Sequence, residues 1–355
     1  MSAEAIVHED ISGGSEAVPP VLEAVDVTKH YTVRSGRFSR SIVHAAENIS
    51  VALRPGTVTA VVGESGSGKS TLSRLLARTQ RLTSGKLYFD GADVSDQRKP
   101  TMEYRRAVQL VLQDPFASLN PVHDVRYILG RPLRIHGLAG DDLEQSILGL
   151  LRRVSLEPAE QFINKYPYEL SGGQRQRVSI ARGLAVQPRV LLADEPVSML
   201  DVSIRLGVLN LLADLRDREN LAILYVTHDI ASARYLADTI MVMYAGKVVE
   251  VGPADRITDS PAHPYTQLLL SAAPDPDADA KEWVDANGSP PSLVRPPAAC
   301  RFHPRCPHAM QICTTELPPQ FAVHDKHRAA CWLHSPESLD PATTGKKLHA
   351  PEPIR

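Results

Sequence analysis

Two hallmarks of membrane and secreted proteins are missing from this sequence of 355 residues. It has no run of about 18 apolar residues, the length that a membrane-spanning helix needs. Residues 1–20 are acidic and lack the basic and apolar regions of a secretion signal. An excess of one charge is missing too, since the net charge is -2, so no nucleic-acid surface is indicated. We therefore expect a cytosolic protein that reaches a membrane only through a partner.

Cysteine is absent from the first 299 residues, and the four cysteines are Cys300, Cys306, Cys313 and Cys331. Their clustering near the C-terminus indicates that they belong to one local site. Disulfide bonds are disfavoured in the cytosol, which leaves a metal or cluster site or four reduced thiols packed as small apolar groups.

The length allows roughly two domains, and changes of composition along the chain predict their limits. The predicted segments are a disordered leader (1–20), an α/β core (21–270), a proline-rich linker (271–297), a cysteine-bearing module (298–335) and a flexible tail (336–355).

Short apolar runs close to Gly, Pro or polar residues predict the strands of the core, at 58–62, 108–112, 190–193, 222–226 and 240–243. They alternate with helical stretches such as 203–218, which favours a largely parallel sheet. Residues 114–170 carry helical patterns around 125–136 and 143–154 without strong strands, and are predicted to form an inserted helical subdomain.

The segment from Gly63 to Ser70 reads GESGSGKS and matches the phosphate-binding P-loop pattern in full. It follows a predicted strand and precedes leucines at helical spacing, a context that disfavours a chance match by a Gly/Ser-rich turn. Lys69 is expected to contact the β- and γ-phosphates, and the Ser70 hydroxyl to bind Mg²⁺. The predicted nucleotide-binding residues are Gly63, Glu64, Ser65, Gly66, Ser67, Gly68, Lys69, Ser70 and Thr71.

The apolar run at 190–193 ends in two carboxylates, Asp194 and Glu195. At a buried strand end beside a P-loop, Asp194 is expected to hold Mg²⁺ through water. Glu195 is expected to face the γ-phosphate, where a general base is needed. Two acids solvated at a strand end are the alternative, which the complete P-loop disfavours.

The string from Leu170 to Arg177, LSGGQRQR, resembles the signature of ATP-binding cassette (ABC) ATPases. A helix N-terminus presenting hydroxyl and amide donors forms a second anion-binding surface. In that family this surface binds the ATP of the other subunit, so the resemblance implies a head-to-tail pair of ATPases. The residues carried over to this surface are Ser171, Gly172, Gly173, Gln174 and, in a later interface loop, Asp201.

Three further residues match elements of the ABC family by position. The resemblance implies that Tyr31 stacks on adenine, that Gln113 contacts Mg²⁺ and the attacking water, and that His228 touches the γ-phosphate. Met199 departs from the alanine usual in the loop before Asp201. The implied reaction is ATP hydrolysis with Glu195, His228 and Gln113 as the catalytic residues.

Two strings resemble the ATP-binding subunits of dipeptide/oligopeptide and nickel importers: QDPFASLNP from Gln113 and HPYTQLLL from His263. Residues 34–41 resemble an insertion in the second of the two ATPases of such importers. The cysteine string CRFHPRCP from Cys300 resembles their C-terminal segment. Some members of that family bind a [4Fe-4S] cluster there, which would use Cys300, Cys306, Cys313 and Cys331. Zinc is the alternative, disfavoured by the absence of paired Cys-x2-Cys knuckles.

The resemblance also implies partners: a second ABC ATPase, expected to be a paralogue, two permease subunits and, through the complex, an external solute-binding protein. The chain would lie at the cytoplasmic face of the cell membrane and energise import of peptides, nickel, glutathione or oligosaccharides. A soluble ABC ATPase acting on ribosomes or DNA is the alternative. The single cassette and the absence of a heptad run disfavour it.

Overall fold

The computed structural model describes residues 18–34, 40–97, 99–114, 118–272 and 289–336. Parts of the predicted segments lie outside these described residues: the leader up to residue 17, residues 273–288 of the linker and the tail from residue 337. Residues 35–39 of the insertion at 34–41 and residues 115–117 of the QDPFASLNP string also lie outside the described residues.

The secondary structure within the described residues alternates strands and helices over most of its length. The strands are β1 (Leu22–Arg34), β2 (Arg40–Leu53), β3 (Val58–Val62), β4 (Ser84–Phe89), β5 (Ala92–Asp93), β6 (Val108–Val111), β7 (Val190–Asp194), β8 (Ala222–Thr227), β9 (Thr239–Tyr244), β10 (Lys247–Pro253), β11 (Phe321–His324) and β12 (His327–Ala329). The helices are α1 (Lys69–Leu76), α2 (Met102–Ala107), α3 (Val125–Ile135), α4 (Leu143–Arg153), α5 (Gly172–Leu184), α6 (Val202–Glu219), α7 (Ile230–Leu236), α8 (Ala254–Asp259), α9 (Pro264–Ser271) and α10 (Gln311–Thr315).

The main sheet has the strand order β11-β12-β10-β9-β3-β8-β7-β6. Strands β9, β3, β8, β7 and β6 are parallel, and every residue of β3, β7 and β8 is buried. Strands covered on both faces require continuous apolar runs, which is what the sequence offers there. The five predicted strands are thus confirmed, as is the α/β fold class.

One edge of this sheet is antiparallel and was not predicted. Strand β10 pairs with β9 on one side and with β12 on the other, where Glu250 lies opposite Ala329. Nε2 of His327 in β12 and Oε1 of Glu250 in β10 form a fully buried hydrogen bond of 2.7 Å. Strands β11 and β12 of the cysteine-bearing segment therefore extend the sheet of the core.

A second, antiparallel sheet with the order β2-β1-β4-β5 was also missed by the sequence analysis. Leu72, Leu75 and Leu76 of α1 share one apolar cluster with residues of both sheets, so that α1 lies between them. Burial of each leucine contributes about 1.5–3 kcal/mol, and this packing rather than intrinsic helix stability holds an eight-residue helix.

The helices predicted around 125–136 and 143–154 are confirmed as α3 and α4. Each begins at an aspartate whose carboxylate accepts a hydrogen bond from the first-turn backbone: Tyr127 N–H donates to Asp124 at 2.8 Å and Gln145 N–H to Asp142 at 3.1 Å. Both helices bury their apolar faces in the cluster that includes α5. None of the helices in the described part of the chain is long and apolar enough to cross a membrane.

Candidate nucleotide-binding and catalytic site

The P-loop connects β3 to α1 in a path that only glycine permits at two positions. Gly63 has φ 156° and Gly68 has φ 105°. A Cβ atom on Gly63 would lie 2.1 Å from the backbone oxygen of Met243, and one on Gly68 would lie 2.2 Å from that of Ala45. Because L side chains avoid this φ region and the backbone neighbours cannot move easily, both positions require glycine.

Helix α1 begins directly after the loop, and no side chain caps its N-terminus. The amide donors of its first turn are therefore available to an anion, and the helix dipole favours one. The buried ammonium of Lys69 donates to the backbone oxygens of Gly63 at 2.7 Å and Glu64 at 2.9 Å. Burial lowers the pKa of Lys69, while the carboxylates of Glu195, Asp194 and Glu64 oppose that change.

The parallel strands place several acidic and polar side chains at one edge. In register, Val62 lies opposite Thr227, and Asp194 lies opposite Val226. The Ser70 hydroxyl consequently reaches the end of β7 and donates to Oδ1 of Asp194 at 2.9 Å. Burial raises the pKa of Asp194, Glu195 adds to the rise, and the hydrogen bond from Ser70 opposes it.

The three predicted catalytic residues meet, with Gln113 and His228 both at the carboxylate of Glu195. Its Oε2 atom accepts a hydrogen bond from Nε2 of Gln113 at 3.0 Å and lies 3.2 Å from Nδ1 of His228. Glu195 has φ 48°, a left-handed conformation that is uncommon for a residue other than glycine. The structure thus brings together side chains that follow β6, β7 and β8.

A cavity of about 530 Å³ opens over these groups. The predicted residues that line it are Ser65, Gly66, Gly68, Lys69, Ser70, Thr71, Gln113, Glu195 and His228. Ala45 and Leu293 line it as well, and neither was predicted. Tyr31 is not among the lining residues; it lies on β1 opposite Val43, with the Lys29 ammonium 5.0 Å from its ring centroid.

The predicted signature residues do not line this cavity. Ser171 precedes α5 and forms a capping box with Gln174, in which Gln174 N–H donates to the Ser171 hydroxyl at 3.3 Å. Gly173 is buried, and a Cβ atom there would lie 2.4 Å from Cγ2 of Ile204. The signature therefore packs on α6, away from the P-loop of the same chain.

Asp201 precedes α6, and its side chain makes no capping hydrogen bond. Large apolar side chains around it are exposed: Met199 by 58%, Val202 by 79% and Leu206 by 48%. A cluster of exposed apolar residues is typical of a surface that contacts another protein.

The four cysteines are free thiols that line one small cavity of about 10 Å³. Burial raises the pKa of Cys306 to about 11 and that of Cys331 to about 12, and the neighbouring sulfurs add to each rise. Within the described part of the chain, no three of these sulfurs lie within 4.8 Å of one another. The four thiols therefore converge on one cavity.

Sequence analysis missed the contacts that the C-terminal segment makes with the P-loop. Arg305 forms an ion pair with Glu64, and Oη of Tyr265 accepts a hydrogen bond of 2.8 Å from the Glu64 amide. A carboxylate in a phosphate-binding loop is a signal that a counterion is needed, but nothing in the sequence says which arginine supplies it.

Comparisons with known proteins agree with this geometry. Residues 46–198 match the ABC transporter family model, and residues 249–313 match the model for the C-terminal region of oligopeptide/dipeptide transporters. The chain is 41% identical over 323 residues to the oligopeptide transport ATP-binding protein AppF of Bacillus subtilis, covering 89% of this chain and 98% of that protein. It is 42% identical over 318 residues to the dipeptide transport ATP-binding protein DppF of Escherichia coli, covering 88% and 94%.

The chain belongs to the ABC transporter ATP-binding family. Within it, the second match and the similar proteins lie in the oligopeptide/dipeptide group. Solved structures share the cassette fold. The dimeric ATP-binding cassette MJ0796 bound to ADP and phosphate is 29% identical with a TM-score of 0.57, covering 66% of this chain and 98% of that one. The cassette cbiO1 of Clostridium perfringens is 28% identical with a TM-score of 0.59, covering 68% and 92%. This ABC protein is an ATPase.

Proposed function

We propose that this ABC ATPase energises the import of dipeptides or oligopeptides, or of a related solute such as nickel, glutathione or an oligosaccharide. The observation that carries the hydrolytic part is the meeting of Gln113 and His228 at one oxygen of Glu195, beside the P-loop. The peptide part rests on the similarity to AppF and DppF over nearly the whole of those proteins.

In the nucleotide-bound enzyme, the amides of residues 63–71 and the start of α1 bind the phosphates. Lys69 faces the β- and γ-phosphates. Without nucleotide, its ammonium donates to the loop carbonyls of Gly63 and Glu64, and phosphate oxygens replace these acceptors when ATP binds. Tyr31 stacks on adenine. Since Tyr31 lies on β1 and does not line the cavity, the adenine ring has to extend from the cavity toward β1.

The hydroxyl of Ser70, which lines the cavity, and the carboxylate of Asp194 behind it would hold Mg²⁺, because their oxygens already lie 2.9 Å apart. Magnesium prefers such oxygen ligands and keeps several waters. Gln113 contributes a further amide oxygen. When bound, the ion neutralises phosphate charge.

Glu195 orients the attacking water and accepts its proton. Two neighbours fix its carboxylate: Gln113 donates to Oε2, and His228 lies against the same atom. A carboxylate held in this way does not have to reorganise during the reaction, which is the basis of electrostatic catalysis. His228 remains 56% exposed toward the cavity side, where it is available to contact the γ-phosphate.

A second ATPase subunit completes the site. The signature residues Ser171, Gly172, Gly173 and Gln174 do not line the cavity of their own chain, and the apolar side chains next to Asp201 in the sequence are exposed. Both features support a head-to-tail dimer in which this signature binds the ATP of a paralogous partner. Two permeases hold this ATPase at the cytoplasmic face of the cell membrane. An external solute-binding protein delivers the solute to the permeases.

Reconstitution tests the assignment. The chain, co-expressed with candidate permeases, a second ATPase and a binding protein, is assembled in lipid vesicles. ATP-dependent uptake of a labelled dipeptide is expected. Uptake of nickel alone would replace peptide by metal import, and ATP hydrolysis stimulated by ribosomes or DNA without permeases would contradict a transport role.

We further propose that Cys300, Cys306, Cys313 and Cys331 bind a [4Fe-4S] cluster with a structural role. The four cysteines line one cavity, which supports a shared site for a cluster or, as the alternative, for zinc. Buried thiols with raised pKa values also need a cation to become thiolates. Anaerobic purification should give a brown protein with iron and sulfide, and zinc without iron would select the alternative.

A further inference from the structure

The C-terminal segment holds the phosphate loop through one buried arginine. Nη1 of Arg305 lies 3.0 Å from Oε2 of Glu64, and Nη2 lies 3.1 Å from Oε1. The arginine side chain is 9% exposed and the glutamate 27%. Nη1 also donates to Oη of Tyr244 at 3.2 Å, and the guanidinium lies 5.8 Å from the ring centroid of Phe302. A two-point pair with these contacts fixes both charge and orientation.

The backbone of Glu64 is held as well. Its N–H donates to Oη of the buried Tyr265 in α9 at 2.8 Å. The Tyr244, Tyr265 and Phe302 rings pack together, with centroids 4.5 to 5.5 Å apart. Both the amide and the carboxylate of the second P-loop residue are therefore anchored in an aromatic cluster that includes the C-terminal segment.

The negative charge of Glu64 affects the phosphate-binding site. Its carboxylate lies close enough to Lys69 to act on the pKa of that ammonium. Since Glu64 is the second residue of the phosphate-binding loop, its negative charge repels the phosphates of a nucleotide unless it is paired. Although burial lowers the pKa of Arg305, the hydrogen bonds to Glu64 and Tyr244 raise it above its ordinary value, so the arginine remains charged.

We propose that Arg305 is a positioning residue of the nucleotide site. It neutralises Glu64 and fixes the start of the P-loop, so that ATP affinity depends on the C-terminal segment. Arg305 directly precedes Cys306, and the turn His303–Arg305 aims its side chain. The packing of the cysteine-bearing segment thus places the guanidinium. The inference rests on ATP binding at the P-loop and is independent of the solute and of the cluster.

The experiment measures binding of a fluorescent ATP analogue with Mg²⁺ to the full chain. Arg305→Gln should raise its Kd roughly 5- to 30-fold, because the carboxylate of Glu64 is left unpaired. Adding Glu64→Gln to that variant should restore binding to near the wild-type Kd, which a merely structural role of Arg305 does not predict. Glu64→Gln alone should tighten binding about threefold, since the charge of Arg305 then faces the phosphates.

Arg153→Gln is the matched control. Arg153 forms a two-point pair with Glu219, including a 3.0 Å bond from Nε to Oε1, and neither residue lines the cavity. Its Kd should equal that of the wild type, with folding checked by thermal melts. If Arg305→Gln does not fold, the Kd of the Glu64→Gln variant for the ATP analogue tests the proposal by itself.

Three results would each overturn the role of Arg305. They are an unchanged Kd in Arg305→Gln, a raised Kd that adding Glu64→Gln does not restore, and an unchanged Kd in Glu64→Gln alone. Failure of the wild type to bind the analogue would overturn nucleotide binding itself, a distinct result.

Discussion

Nδ1 of His228 lies 3.2 Å from Oε2 of Glu195, which joins the ends of two neighbouring parallel strands, β8 and β7. The same oxygen accepts the hydrogen bond from Gln113, which follows the next strand, β6. The contact among the three side chains is therefore a consequence of strand order, since parallel strands deliver their carboxyl ends to one edge.

Glu195→Gln should reduce the kcat of ATP hydrolysis by about 10²- to 10⁴-fold in the assembled transporter, because an amide cannot accept the proton of the attacking water. ATP binding should persist. Phosphate release and binding of a fluorescent ATP analogue measure the two effects. Glu144→Gln is the control and should hydrolyse ATP normally, because Glu144 of α4 forms only an exposed ion pair with Arg126 of α3. Retention of more than a tenth of the wild-type kcat in Glu195→Gln would contradict the assignment.

Ser171→Arg tests whether the signature serves another subunit. Since Ser171 is exposed and lies outside the cavity of its own chain, the isolated variant should bind ATP with the wild-type Kd. In the assembled complex the bulky cation should obstruct the interface and lower hydrolysis about 10-fold or more, by removing a donor to the partner's nucleotide. Gln145→Arg, at an exposed position of α4, is the control. Loss of ATP binding in the isolated variant would show that the signature acts within one chain.

Cys331→Ser tests the cysteine site. The thiol is buried beside the cavity that all four cysteines share, so its loss should abolish or strongly reduce bound iron and lower the melting temperature by several degrees. Metal analysis and the visible spectrum of anaerobically purified protein measure the first effect. Ser335→Ala, four residues further along, is the control. Equal iron, zinc and melting temperature in the variant and the wild type would refute a cysteine-bound metal.

Glu47→Gln should remove one contribution to the pH dependence of the free energy of unfolding, in a defined pH window. Burial alone raises the pKa of Glu47, but hydrogen bonds from His44 and His30 and the charges of Arg301 and Lys247 lower it to about 2, from an ordinary 4.5. A carboxyl whose folded-state pKa is lowered stabilises the fold above its unfolded pKa and loses that contribution as the pH falls.

The difference in unfolding free energy between wild type and Glu47→Gln should therefore be full at pH 7 and shrink between about pH 4.5 and pH 2. Urea unfolding across this range measures it. A difference that stays constant down to pH 3 would argue that the ion pairs of Glu47 do not stabilise the fold.

The sequence by itself determined the nucleotide chemistry and the inner strands. The glycines, lysine and serine of residues 63–70 specify their backbone path and phosphate contacts locally, and buried parallel strands require apolar runs that are visible in any sequence. The antiparallel edge, the second sheet and the contacts of the C-terminal segment were decided only by tertiary structure. Arg305 and Glu64 lie 241 positions apart, and whether they meet depends on how β12 adds to β10 and on how three aromatic rings pack. Local patterns carry periodicity and charge, but the choice of a distant partner is made by register and packing, which no single segment contains.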